Sequence, residues 1–237
     1  MIGWLIYSAV DVEKNKYYIQ MYKDKFKEHF IEIKLVIVEE LENMEQYVKC
    51  NKVDFAINRS RNHIMGELLE QKGVRVFNSS SVTRIANNKG ITYEFLKDVV
   101  PFLAVKYGNE IIESKIENKG FEYPYVIKSC SGHGGSQVFL VNNSKEEEQA
   151  VKAMNGQEYV VQQCCSDLGR DVRVYIIGNK IIKAVLRTST ESFKSNYSLG
   201  GKVQEYTLNN EEKAMVERIV DKLSLDYAGI DFTFNNG

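Results

Sequence analysis

The stretch PYVIKSCSGHGGSQVFLV, residues 124–141, sets one strand against another around Ser131-Gly132-His133-Gly134-Gly135-Ser136. Glycines this close together offer no side chains to the core and lose much backbone entropy on folding, so such a loop has a use for bare amides. A Walker A loop requires GK[ST] and a following helix, and a dinucleotide fingerprint requires GxGxxG opening a helix. This segment has neither. What fits is a β-hairpin flap whose glycine amides close over phosphate oxygens, with Lys128 at the end of the incoming strand supplying a compact cation. The plain alternative is an ordinary glycine-rich hairpin with a surface lysine.

Toward the N-terminus, apolar runs alternate with amphipathic ones: IGWLIYS, KYYIQMYKDKFKEHF, IKLVIV, LENMEQYVKCNK, VDFAIN, HIMGELLEQKG, VRVFNSS. That order predicts strand and helix in alternation, hence a small doubly wound α/β lobe over residues 1–81. SVTRIANNKGITYEFLKDVV follows as a predicted helix stopped by Pro101. From 82 to 237 the grammar changes to paired strands, an α+β lobe. DVRVYIIGNKIIKAVLRT contains two runs joined at Gly178-Asn179, a two-residue hairpin turn. Alternation puts Val172, Val174 and Ile176 on one face with Ile182, Ala184 and Leu186, and leaves Asp171, Arg173, Tyr175, Lys183 and Arg187 on the other. Met215, Ile219, Val220 and Leu223 share a face of a late helix behind an Asn cap. In YAGIDFTF, Asp231 stands on the polar side of an apolar strand, a position suited to a hard cation or to a structural hydrogen bond.

The 237 residues are 43% hydrophobic and 27% charged with a net charge of -1, so no excess of base draws the chain to nucleic acid or to an anionic membrane. Cys50, Cys130, Cys164 and Cys165 show no CxxC spacing and read as reduced thiols of a cytoplasmic protein. MIGWLIYSAVDVEKNK lacks the basic lead and small-residue cleavage site of an export signal. It also lacks a glycine-rich turn, which argues against a nicotinamide-dependent dehydrogenase.

The succession of lysine, glycine flap, VVQQCC, GRDVRVYIIGNKIIKAVLR, FKSNYSLGG and AGIDF resembles the ATP-grasp superfamily, most closely the RimK-like carboxylate-amine ligases. The resemblance covers roughly Ser81 to the end and implies an ATP-grasp fold behind an N-terminal doubly wound lobe. It implies ATP and Mg²⁺ as cofactors. Lys89 and Lys128 would touch the phosphates, with Ser131, Gly132, Gly134, Gly135 and Ser136 as the flap. Gln162, Gln163 and Cys164 would line adenine, Gln163 standing where the family has glutamate. Asp171 would hold the ribose, and Arg173 and Arg187 would face the transferring phosphoryl. Lys194, Ser195 and Asn196 stand where the family shows Arg-Ser-Asn, and Asp231 would be the first metal ligand. The family's Glu-x-Asn metal element would follow that aspartate, and the sequence reaches Gly237 before one appears, as a truncated chain would.

Two functional classes follow. One is an ATP-dependent ligase joining a small-molecule or peptide carboxylate to an amine through an acyl phosphate. The other is a nucleotide-binding module without turnover, favoured by Gln163 and the unfinished metal set. Asn58-Arg59-Ser60-Arg61, after the VDFAIN strand, is either a carboxylate-recognition loop or a solvated turn. A homo-oligomer is left open.

Overall fold

The structure is a computed structural model that describes residues 1–108, 121–135, 137–190, 192–194 and 201–236. It divides into two compact units, Met1–Ile85 and Ala86–Gly237.

In the first unit, β1 (Ile2–Tyr7), α1 (Ala9–Lys27), β2 (Glu32–Ile37), α2 (Met44–Cys50), β3 (Phe55–Asn58), α3 (His63–Gln71) and β4 (Arg75–Phe77) alternate as the sequence predicts. The strands form one sheet in the order β2-β1-β3-β4, with every pairing parallel. Parallel strands covered on both faces are continuously apolar, and Trp4, Leu5 and Ile6 of the inner strand β1 are fully buried. Trp4 and Ile6 share a core with Ala56 of β3, Val76 of β4, and Met65 and Leu69 of α3. The side chains of Asn43 and Asn62 cap α2 and α3 by accepting from Gln46 N and Met65 N, which fixes where each helix starts.

The helix predicted over residues 81–100 is two helices, α4 (Ser80–Ala86) and α5 (Lys89–Leu96). The break falls at Asn87-Asn88, where the Asn88 side chain accepts from Ile91 N and starts a new helix instead of continuing the old one.

The second unit holds two antiparallel four-stranded sheets. One is ordered β5-β8-β6-β7, from β5 (Val105–Tyr107), β6 (Tyr125–Ser129), β7 (Val138–Val141) and β8 (Tyr159–Gln163). Helix α6 (Ser144–Met154) adds Ala150 and Met154 to a core with Tyr125, Ile127, Val141 and Val161. The other is ordered β11-β10-β9-β12, from β9 (Arg170–Ile177), β10 (Lys180–Thr188), β11 (Lys202–Tyr206) and β12 (Tyr227–Thr233). Helix α7 (Asn210–Leu223) opens on an Asn209/Glu212 capping box and buries Val216, Ile219, Val220 and Leu223. Met215, expected on that face, is only half-buried and Val216 takes the inner position.

The β9–β10 turn has positive φ at both Gly178 and Asn179, as the tight hairpin turn requires. The expected alternation holds through Val172, Val174, Ile176, Ala184 and Leu186, all buried, but fails at Ile182, which is exposed. The pairing register shifts between Ile181 and Lys183, and the extra residue turns Ile182 out of the core. Among the described residues no helix is long and apolar enough to cross a membrane.

Candidate active site

The pleat of β6 sends Tyr125 and Ile127 into the core under α6 and turns Lys128 to the opposite face of the sheet. There the Lys128 ammonium donates to Gln162 Oε1 at 2.5 Å, from the paired strand β8. Lys89, the first residue of α5, donates from Nζ to the carbonyl oxygens of Ser129 at 3.0 Å and Gly132 at 2.5 Å, while its backbone N–H donates to Cys130 O. The two lysines therefore flank one end of the glycine loop. Burial and then the charge of Lys89 bring Lys128 down to about 8, and burial lowers Lys89 as well.

The flap itself turns on Gly134 and Gly135, with φ of 64° and 79°, where a side chain would be strained. A Cβ on Gly132 would come within 3.1 Å of Ser129 Cβ, so this glycine lets the loop lie close to its own strand. Ser131 and Gly134 face solvent. The Lys194 ammonium donates to Gly135 O at 2.6 Å, and burial lowers its pKa. Three of the flap's and strand's carbonyls thus each hold a lysine. Ser136 and Asn196, expected at the phosphates, and Ser195 lie outside the described residues.

At the expected adenine hinge, Gln162 faces inward to Lys128, whereas the Gln163 side chain is exposed and its backbone N–H donates to Ala104 O at 2.9 Å. Cys164 is half-buried, and burial raises its thiol.

The second sheet carries the charged face. Register sets Asp171 opposite Arg187 and Asp231 opposite Arg173. Arg187 donates from Nε and Nη2 to the two oxygens of Asp171, both at 2.6 Å, and its Nη2 also lies 3.0 Å from Asp231 Oδ1. Arg173 grips Asp231 in the same two-pronged way, at 2.7 and 2.6 Å. Two acids and two guanidiniums so form one array, buried at Asp171 and Arg187 and half-exposed at Arg173.

Both carboxylates expected at ligands are engaged by arginines in this structure. Asp171 was expected on a ribose, but both its oxygens accept from Arg187, so it holds that guanidinium. Asp231 was expected on magnesium, but its oxygens accept from two arginines, and among the described residues no three His, Cys, Asp or Glu side chains come together to hold a metal.

Alternation alone does not disclose Gly169. It sits before β9 with φ of 71°, and a Cβ there would lie 2.5 Å from Ser189 O and 2.8 Å from Ser192 O. Its N–H donates to Phe193 O and its carbonyl accepts from Ser189 N. The loop that carries Lys194 is pinned to the start of β9 through this residue. The signal was the glycine directly ahead of RDVRV.

In the first unit, β1 and β3 are neighbours whose connections leave in opposite directions, the place where open α/β sheets bind ligands. Asn58, buried at the end of β3, accepts from Ser60 N and Oγ and donates to Asn62 O, which fixes the Asn58–Arg61 turn. Arg61 pairs with Asp11, and Arg59 bonds the Tyr7 phenol.

A cavity of about 1170 Å³ in the second unit is lined by Gly90, Phe95, Tyr107, Cys130, Met154 and Lys222 among others, and none of the site lysines or arginines borders it.

The RimK-like ATP-grasp domain model matches residues 86–236. An uncharacterized protein of Mycoplasma pneumoniae is 30% identical over 234 residues, covering 98% of this chain and 78% of its own length. A probable alpha-L-glutamate ligase of Haemophilus ducreyi is 25% identical over 172 residues, covering 70% of this chain and 56% of that protein. A RimK-domain ATP-grasp protein from Sphaerobacter thermophilus superposes with a TM-score of 0.74 at 19% identity, over all of this chain and 87% of that one. With the lysine-bordered flap and the arginine array already in place, the match settles the family: the chain belongs to the RimK-like ATP-grasp proteins, ATP-dependent ligases that join carbon to nitrogen.

Proposed function

We propose that the chain activates a carboxylate with ATP and passes it to an amine, giving an amide, ADP and phosphate. The observation that carries this reading is the pairing, in one unit, of a glycine hairpin bordered by Lys89 and Lys128 with a face of fixed guanidiniums. A carboxylate does not acylate an amine unaided, because hydroxide is a poor leaving group. Attack of a carboxylate oxygen on the terminal phosphorus of ATP breaks the bond to ADP and forms an acyl phosphate. The amine nitrogen then attacks the acyl carbon, phosphate departs, and the nitrogen loses a proton.

On this reading Lys89, Lys128 and the amides of Ser131, Gly132, Gly134 and Gly135 bind the triphosphate, and the segment Gln162–Cys164 borders adenine. Arg187, held by Asp171, and Arg173, held by Asp231, offset charge on the phosphoryl group in transfer, and Lys194 adds a further cation beside the flap. Groups fixed before the reaction contribute most to stabilising charge that develops during it. The acid and amine are small molecules or peptides; the likeness to a probable glutamate ligase supports an amino-acid substrate. Asn58–Arg61 supports a carboxylate contact in the first unit.

Incubation with ATP, magnesium and a panel of amino acids and short peptides tests the reading. ADP release that requires both an acid and an amine is expected. AMP in place of ADP overturns the acyl phosphate, and nucleotide binding without ADP under any pairing supports the non-catalytic module, which the arginine-occupied Asp231 favours.

A further inference from the structure

We infer that Gly90 and Tyr107 are a positioning pair that seats the first turn of α5 against the glycine loop, so that the Lys89 ammonium arrives where the nucleotide phosphates bind. The inference rests on the proposed role of Lys89 at those phosphates.

Two contacts carry it. Tyr107, the last residue of β5, donates from its hydroxyl to Gly90 O at 2.9 Å. Gly90 is the second residue of α5, next to Lys89, and a Cβ there would lie 2.7 Å from Tyr107 Cε1. That is well inside the roughly 3.5 Å at which carbon atoms rest against one another. The edge of the tyrosine ring therefore takes the place of a side chain. The same Cβ would press on Asn88 Oδ1 at 3.3 Å, the atom that caps α5, and on Cys130 Sγ at 3.4 Å. Alanine favours a helix more than glycine does, so helix formation does not account for a glycine here. The close approach of Tyr107 does.

The seat matters because Lys89 is held at both ends. Its backbone N–H donates to Cys130 O at 2.9 Å, and its Nζ donates to Ser129 O at 3.0 Å and Gly132 O at 2.5 Å. Hydrogen bonds weaken steeply when bent or lengthened, so all three require the first turn of α5 to lie close to the loop. Tyr107 pairs with Val160 of β8, and β8 pairs in turn with β6, the strand that leads into the loop. One sheet thus grips α5 at two points, through Gly90 from β5 and through Lys89 from the end of β6. The hydroxyl of Tyr107 sets the first grip, and the bare Cα of Gly90 makes room for it.

The test reads amide hydrogen exchange and ATP binding in the full chain, in Tyr107→Phe and in Gly90→Ala. Tyr107→Phe keeps the ring and removes the donor. The Lys89 N–H is then expected to exchange roughly three- to tenfold faster, the size of one lost hydrogen bond, with ATP affinity weaker by a similar factor. Amides of β9, in the other sheet of the same unit, are expected to keep their wild-type rates. Gly90→Ala drives the ring away and is expected to give a larger loss in both readouts. In that background Tyr107→Phe should add almost nothing, because the hydroxyl has already left Gly90 O. Unchanged exchange at Lys89, an equal acceleration at Lys89 and β9, or fully additive losses each overturn the inference, since a merely structural tyrosine would not single out Lys89. Faster exchange at Lys89 with unaltered ATP affinity overturns it as well. If the wild-type chain binds no ATP, the proposed function falls instead, and the seat stands or falls on exchange at Lys89 alone.

Discussion

Arg187 and Asp171 meet end to end across β9 and β10, two parallel hydrogen bonds of 2.6 Å joining a guanidinium to a carboxylate with both side chains almost wholly out of solvent. Removing one member of such a buried pair leaves a charge without its partner, which is costly even where the intact pair contributes little. Asp171→Asn is expected to lower stability by about 3 kcal/mol, near the lower end for a broken buried pair, since Asp231 at 3.0 Å still offsets part of the Arg187 charge. Urea unfolding of the two proteins measures it. A loss below about 1 kcal/mol, the level of an exposed pair, would mean the interior here is wetter than the burial implies.

Arg187→Lys keeps the charge and removes the planar fork. ATP affinity is expected to change by less than about threefold while ADP release falls on the order of 100-fold, the usual effect of losing one fixed donor to a transferring group. Equal losses in binding and turnover would contradict the proposed place of Arg187 at the reacting phosphoryl.

Lys128 gives two pH effects of opposite sense. On the proposed role its ammonium, at about 8, is the form that binds phosphate, so ATP affinity is expected to be highest below that pH and to decline above it. Stability runs the other way. The folded pKa lies below the ordinary lysine value of about 10.4, so the unfolded chain binds the extra proton between the two values and stability rises with pH there. Both slopes are expected to become shallower in Lys128→Met, the lowered Lys89 and Lys194 supplying the remainder, and melting curves and ATP titrations of the pair read the difference directly.

Gly169→Ala places a methyl group 2.5 Å from a carbonyl oxygen at a φ that alanine rarely adopts. A loss of about 2 kcal/mol is expected from the strained backbone and displaced loop. Faster tryptic cleavage after Lys194 should accompany it, because Ser189 and Phe193 are both hydrogen-bonded to that glycine. Wild-type cleavage rates would show the loop to be held elsewhere.

What could be read in the sequence and what could not divide along physical lines. The parallel sheet was legible because strands covered on both faces must be apolar throughout, as Trp4–Ile6 are, and the Gly178-Asn179 turn because few residues tolerate two positive φ values in a row. The glycine loop and Lys128 were legible because a loop and the strand that leads into it are adjacent in sequence, whereas Lys89, forty residues away, came only with the family resemblance. The helix break at Asn88 was written in the sequence as an Asn pair, but an overall helical pattern masked it. Ile182 was misplaced because a bulge restarts the period of two and leaves no compositional mark. The partners of Asp171, Asp231 and Gln162 depend on strand register and on which side of a sheet a helix lies, and no short-range pattern encodes either.

The lysine contacts at the flap bear on how the site empties. Lys89 and Lys194 already rest on peptide oxygens of Ser129, Gly132 and Gly135. On the proposed role, an arriving triphosphate exchanges one set of oxygens for another and strips little water from those ammonium groups. A departing diphosphate leaves them a ready place to return to. On that role the protein carries its own resident counterfeit of the nucleotide, and turnover at the glycine loop becomes a relay between two coordination states instead of repeated exposure of bare cations.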